Sequence, residues 1–252
     1  MAVKVNKSHF LVVSFIIKNL FNHFKSDINT IMGKFVNSSV GKKVLMALSG
    51  FFLLFFLLQH FTINFLSVIS EEAFNTASHF MGTNPIVQFL LQPVLLFGVI
   101  FHLSMGIILD AKNKASRPVK YEKVDASANS TWMSRNMIIT GIMVMAFLAL
   151  HFYDFWIPEI KDKFVDGIWN DTTKYYPHLV HKFADPIRVA LYCISFVFLS
   201  LHLLHGFQSS FQSVGFRHNK YTPIIKQLGN IYAIAIPAGF VFIALFHYLN
   251  QH

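Results

Sequence analysis

Charge is scarce in this chain, acids are scarcer than bases, and cysteine is almost missing. Only 13% of the 252 residues are Asp, Glu, Lys or Arg, against about 25% in an ordinary soluble domain. That shortage excludes a water-soluble globule of usual composition. The single cysteine, Cys193, excludes a disulfide framework or a cysteine-based metal centre within one chain. Its apolar neighbours mark it as a buried thiol. Acids number 12 against 21 Lys and Arg, for a net charge of +9. Such a balance can signal nucleic acid. Here the bases gather in particular loops between apolar runs, so a topological explanation replaces it and no nucleic-acid partner is expected.

Apolar residues make up 54% of the chain and aromatic residues 16%. Five runs are long enough to cross a bilayer, at about 20 residues each: roughly 44–67, 86–110, 134–156, 186–214 and 226–249. The expected fold is all-α, an integral membrane bundle of five transmembrane helices over residues 38–252. Pro93 lies inside the second run and should kink it. The N-terminal segment 1–37 is basic. Within it Phe10 to Phe24 is apolar but broken by Lys18, Asn19 and Asn22, the pattern of an amphipathic helix lying in the membrane interface. Met32-Gly33 or the Asn37-Ser38-Ser39 cluster is a natural break before the first span.

Basic residues fill the N-terminus, the 111–135 loop (Lys112, Lys114, Arg117, Lys120, Lys123, Arg135) and the 215–226 loop. They are absent from 68–85 and outnumbered by acids in 157–185, a connection long enough to hold a short helix of its own. The positive-inside rule then places the N-terminus in the cytoplasm and the C-terminus in the periplasm, in a bacterial inner membrane.

Four histidines sit inside the spans, where an imidazole without a partner is costly. Two share one local wording, Leu58-Gln59-His60-Phe61 and Ala149-Leu150-His151-Phe152. The others share a second, His102-Leu103-Ser104-Met105-Gly106 and His202-Leu203-Leu204-His205-Gly206. Depth gives the same pairs. His60 lies 17 residues after Lys43 and His151 lies 16 after Arg135, both roughly 25 Å along outward-running helices. His102 is 8 residues before Asp110, roughly 12 Å from the inner end. His202 belongs to the inner half as well, with His205 open as its rival. Two imidazoles from facing helices can hold one haem iron between them, so two pairs suggest two haems. The glycine one turn after His102 and His202 leaves room for a flat macrocycle. His247, near the end of the last span, is expected at the interface. His79, His178, His181 and His218 are expected in solvated loops.

These residues resemble a family. Ser49-Gly50 followed by His60, His102 with Gly106, Ser130-Thr131-Trp132-x-x-Arg135-x-Met137, Thr140-Gly141, His151-Phe152-Tyr153, and His202-x-x-x-Gly206 together are similar to the di-haem cytochrome b membrane subunit of succinate dehydrogenase/fumarate reductase (complex II), the single-chain, five-helix type. The resemblance implies bis-histidine ligation, with His60 and His151 on the distal haem and His102 and His202 on the proximal one. It implies a flavoprotein and an iron–sulfur subunit docked on the cytoplasmic face, and menaquinone as the quinone. Electrons would pass through the two haems between the iron–sulfur subunit and the quinone, while the succinate site lies on a partner. Ser49, Gly50, Gly106, Trp132, Arg135, His205 and Gly206 are the candidate cofactor contacts, with Arg135 suited to a haem propionate. The pattern departs from some fumarate-reducing members at Ser200, where they carry a glutamate, and at Gly82-Thr83-Asn84, which lacks an acid; both favour succinate oxidation. Two other readings stay open: the cytochrome b subunit of another quinone-linked dehydrogenase, and a non-haem transporter using the histidines as a proton relay.

Overall fold

The computed structural model describes residues 33–115 and 136–251, together with Lys18, His23 and Lys25. The expected interfacial helix of segment 1–37 therefore lies largely outside the described residues, as do Arg117, Lys120, Lys123, Trp132 and Arg135. The described residues hold no strand, and their helices from Ser39 onward are α1 Ser39–Ile69, α2 Glu71–Thr83, α3 Val87–Ala115, α4 Met137–Phe164, α5 Tyr175–Lys182, α6 Pro186–Ser213 and α7 Tyr221–Leu249. Five of them, α1, α3, α4, α6 and α7, are long and apolar enough to cross a membrane. Large side chains point outward along them, among them Phe55 at 72% and Phe97 at 67% exposure, the arrangement a lipid-facing surface requires.

The chain divides between Leu45 and Met46. In the first unit the expected break falls at Ser38. Its Oγ donates to the Phe35 carbonyl (2.7 Å) and accepts from Gly41 N–H (2.9 Å). A Cβ on residue 41 would lie 1.9 Å from that same carbonyl, so only glycine fits this turn.

In the second unit, helix ends follow their capping chemistry. Ser70 caps α2 through its hydroxyl to Ala73 N–H, with Glu71 and Glu72 in the first turn, where the helix dipole favours acids. Asp185 caps α6 by accepting from Ile187 N–H at 2.9 Å, with Pro186 in the first turn, a position that needs no N–H. The loop expected at 68–85 is thus mostly helix, and the 157–185 connection does hold a short helix, α5.

Two prolines leave a common mark. Five-residue π turns, Val87–Leu91 and Phe152–Trp156, each end two residues before a proline, Pro93 and Pro158. A proline removes one backbone donor and crowds the carbonyl four residues back, and a π turn is a usual accommodation. The irregularity expected at Pro93 is therefore a π turn just ahead of it. At Pro158 the crowded carbonyl is that of Asp154, and His178 Nε2 donates to it at 2.7 Å.

Helix α7 is the most buried of the five. Its small residues let neighbours approach closely: Ala233 and Ala244 are fully buried, and Gly229 and Gly239 face Phe207 and Phe61 so tightly that a Cβ would clash. It is fastened to α1 twice, by Tyr232 OH donating to the Leu54 carbonyl (2.6 Å) and by Ser67 Oγ with His247 Nε2 (2.9 Å). Phe240 of α7 stacks on Phe196 of α6 with ring centres 5.2 Å apart.

Helices α2 and α5 roof one end of this unit. Tyr176 N–H donates to Asn75 Oδ1 at 2.8 Å, and Gln251 Nε2 donates to the Val180 carbonyl at 2.9 Å. This roof corrects the expectation for His247. It is 2% exposed, because Tyr176 closes over it (ring centres 5.6 Å apart). His79 and His178 are likewise helical and packed, His79 against Tyr175 and His178 against Phe155; His181 also lies in α5, and only His218 is in a loop.

Candidate functional site

The four span histidines meet as two pairs. The rings of His60 (α1) and His151 (α4) lie 5.7 Å apart, on the roof side. Those of His102 (α3) and His202 (α6) lie 6.4 Å apart, on the side away from the roof, here called the floor. The levels are set by α1, on which Ser49, which touches the floor pair, lies 11 residues before His60, roughly 16 Å along the axis. The ring that faces His102 is that of His202. His205, its rival, is half-buried one turn further along α6.

At the floor, each ring rests on a hydroxyl–glycine pair from a neighbouring helix. Ser49 Oγ is 3.0 Å from His102 Nδ1, and a Cβ on Gly50 would lie 3.6 Å from His102 Cε1. Thr140 Oγ1 is 3.3 Å from His202 Nδ1, and a Cβ on Gly141 would lie 3.5 Å from His202 Cε1. Both hydroxyls already donate to helix carbonyls, Ser49 to Met46 (2.8 Å) and Thr140 to Met137 (3.0 Å). A hydroxyl that donates to its helix carbonyl accepts from Nδ1–H, the tautomer in which Nε2 is unprotonated and free to ligate. Gly106 and Gly206 stand one turn on, beside Met46 and Met137.

The roof pair is built differently. His60 has Asn64 one turn on, its Nδ2 3.4 Å from both ring nitrogens while donating to the His60 carbonyl at 2.8 Å. His151 Nδ1 is buried without a hydrogen-bond partner. Around the pair lies an aromatic shell: Phe56 stacks on His60, and Phe147, Phe155 and Tyr192 surround His151.

A metal held between two imidazoles needs ring centres roughly 6 Å apart, from metal–nitrogen bonds of about 2 Å and the ring radius. Both pairs meet that spacing. Their planes cross at 87° and 68° instead of stacking. The glycines beside the floor rings and the unpartnered Nδ1 of His151 fit the same group. The residues present thus suit two bis-histidine haems. Among the described residues no cluster of three or more His, Cys, Asp or Glu side chains could hold a bare metal ion.

Sequence reasoning missed two features. Thr140-Gly141 and His151 repeat Ser49-Gly50 and His60 at the same offset, hydroxyl-Gly-x9-His. That repeat was the available signal for Thr140 and Gly141 as ring contacts. The second is a buried charge system under the roof. Asp154 has no solvent exposure. Its Oδ2 accepts from Tyr192 OH at 3.0 Å, and Oδ1 faces Arg188 Nη1 at 3.3 Å and Lys182 Nζ at 3.7 Å. Nearby, Lys163, 2% exposed, pairs with Glu159 (2.5 Å) and donates to the Gly82 carbonyl. Tyr175 OH also donates to Glu159, at 3.0 Å. Burial, then the Glu159 carboxylate, push the Tyr175 hydroxyl well above the ordinary phenol range, so it stays a neutral donor. Burial opposes the charge of Lys174, but hydrogen bonds and charge from Glu159 and Asp162 outweigh it and hold the amine above its usual pKa.

With this geometry in hand, sequence comparison adds one finding. The succinate dehydrogenase cytochrome b558 subunit of Bacillus subtilis (strain 168) is 29% identical over 101 residues, 39% of this chain and 46% of that relative. The chain is similar to a succinate dehydrogenase cytochrome b subunit. The match spans a little under half the relative's length. No protein-family model matches the chain, and no solved structure matches it. Five apolar helices and this similarity make the chain a multi-pass bacterial membrane protein.

Proposed function

We propose that this chain is the membrane-anchoring cytochrome b subunit of succinate dehydrogenase/fumarate reductase. In that role it carries electrons between the iron–sulfur subunit and menaquinone with two haems b. The observation that carries the reading is the alternation of imidazoles from α1, α3, α4 and α6 into two crossed pairs at two levels. The cytochrome b558 relative supports it.

His60 and His151 would hold the roof-side haem and His102 and His202 the floor-side one. When bound, haem b supplies a one-electron couple at its iron. The chain's own residues prepare for it. Ser49 and Thr140 fix the floor rings in the tautomer that offers Nε2. Gly50, Gly141, Gly106 and Gly206 keep the adjacent helix surfaces low. Arg135, Trp132 and His205 are the candidate hydrogen-bond donors to propionates. The aromatic shell at the roof keeps water from the His60–His151 pair.

By the positive-inside rule the basic loops favour the floor side as the cytoplasmic one, where flavoprotein and iron–sulfur subunits would dock. Menaquinone then belongs at the periplasmic, roof side. Ser200 and Gly82-Thr83-Asn84 favour succinate oxidation as the direction.

The test is a dithionite-reduced spectrum and a pyridine haemochrome assay on the chain purified from membranes. Two haems b per chain, with co-purifying flavoprotein and iron–sulfur subunits, are expected. A chain free of haem would sink the reading and leave a histidine relay. Two haems with different soluble partners would move it to another quinone-linked dehydrogenase.

A further inference from the structure

The four ring partners are not equivalent, and the odd one is a charge. The floor rings have hydroxyls, Ser49 and Thr140. His60 has the Asn64 amide. His151 has no hydrogen-bond partner at Nδ1, yet a fully buried carboxylate, Asp154, stands three residues on along the same helix. The corresponding place in α1, three residues after His60, is Ile63.

Three observations tie Asp154 to the roof pair. The π turn Phe152–Trp156 begins directly after His151, and its extra residue turns Asp154 inward beneath the roof. Asp154 Oδ2 accepts from Tyr192 OH at 3.0 Å, and the Tyr192 ring lies 6.4 Å from that of His151. Finally, Oδ1 accepts no hydrogen bond, although Arg188 and Lys182 balance its charge from 3.3 and 3.7 Å. An acceptor without a donor and a donor without an acceptor thus lie one turn apart. A histidine that ligates through Nε2 carries its proton on Nδ1.

We infer that Asp154 is the positioning carboxylate of His151. It fixes the ring's orientation through Tyr192, and its buried charge lowers the reduction potential of an iron bound there. This rests on the haem reading above. A buried negative charge favours the oxidised, more positive iron, and taking it away leaves the charges of Arg188 and Lys182 unopposed. Removing that charge therefore makes the iron easier to reduce.

The experiment is a redox titration of the haem absorbance in the assembled complex. The unsubstituted protein comes first; absence of haem there sinks the haem reading and is seen before any variant is made. Asp154→Asn should keep two haems and raise one midpoint by on the order of 59 mV, a tenfold change for a one-electron couple. The other midpoint should stay in place. Asp154→Glu, which keeps the charge, should stay near the starting value, and Tyr192→Phe should shift the same midpoint upward by less. Two haems with unmoved midpoints in Asp154→Asn would reduce Asp154 to a structural ion pair and overturn the inference. So would equal shifts in Asp154→Asn and Asp154→Glu. If Asp154→Asn does not assemble, Tyr192→Phe decides, and an unmoved midpoint there overturns it too.

Discussion

The floor and roof of the second unit solve one problem with different materials. At the floor, two rings are held by two neutral hydroxyls, each spent on a helix carbonyl, and two glycines lie beside them. At the roof, the rings sit among Phe56, Phe147, Phe155 and Tyr192, and the polar groups are charges: Asp154 with Arg188 and Lys182, then Glu159 with Lys163 and Lys174. Neutral partners suffice where neighbouring helices meet over small residues. Charges at the roof need opposite charges, because a lone buried ion is far costlier than a lone hydroxyl.

This contrast can be broken by removing rings. His102→Ala or His202→Ala should each cost one haem of two and spare the roof, whereas His60→Ala or His151→Ala should do the reverse. The pyridine haemochrome ratio measures it, and His205→Ala should retain both. Loss of a haem in His205→Ala alone would reassign the floor ligand. Filling the floor is next. Gly50→Leu or Gly141→Leu should lose most of the floor haem while leaving the roof haem in place, read from the low-temperature α-band. The charges come third. Lys163→Met leaves Glu159 with a weakened set of partners and should destabilise the protein by about 3 kcal/mol, seen as a lower midpoint of thermal unfolding in detergent. The equivalent loss at the floor is smaller. Ser49→Ala or Thr140→Ala removes one neutral hydrogen bond each, about 1 kcal/mol, and should lower haem retention at the floor only slightly.

Much of this was legible in the residues. Five apolar runs became five long helices, because apolar length needs no tertiary information. The wording around His60 and His151, and around His102 and His202, paired the same rings that lie together in space, since matched wording reflected matched depth. Other features were hidden for physical reasons. The third span was expected to end near 156; instead α4 runs on to Phe164, and the carboxylate of Asp154, within a π turn, is buried. A π turn leaves no periodic trace in a uniformly apolar stretch. His247 was expected at an interface because α5, only eight residues long, gives too weak a pattern to reveal that it closes over the bundle. His178 was misplaced for the same reason, and His79 because the 68–85 connection that holds it is mostly helix α2.

The capture of the Asp154 carbonyl by His178 has a consequence for biogenesis. Every partner of the Asp154 carbonyl and carboxylate comes from later in the chain: His178 and Lys182 from α5, Arg188 and Tyr192 from α6. When α4 leaves the ribosome it carries an exposed carbonyl and a carboxylate that lipid will not accept. It can settle to its final depth only after the 28 further residues to Tyr192 have been made. The third and fourth spans should therefore enter the membrane together, as a hairpin, with the roof helix as the stitch that draws them closed.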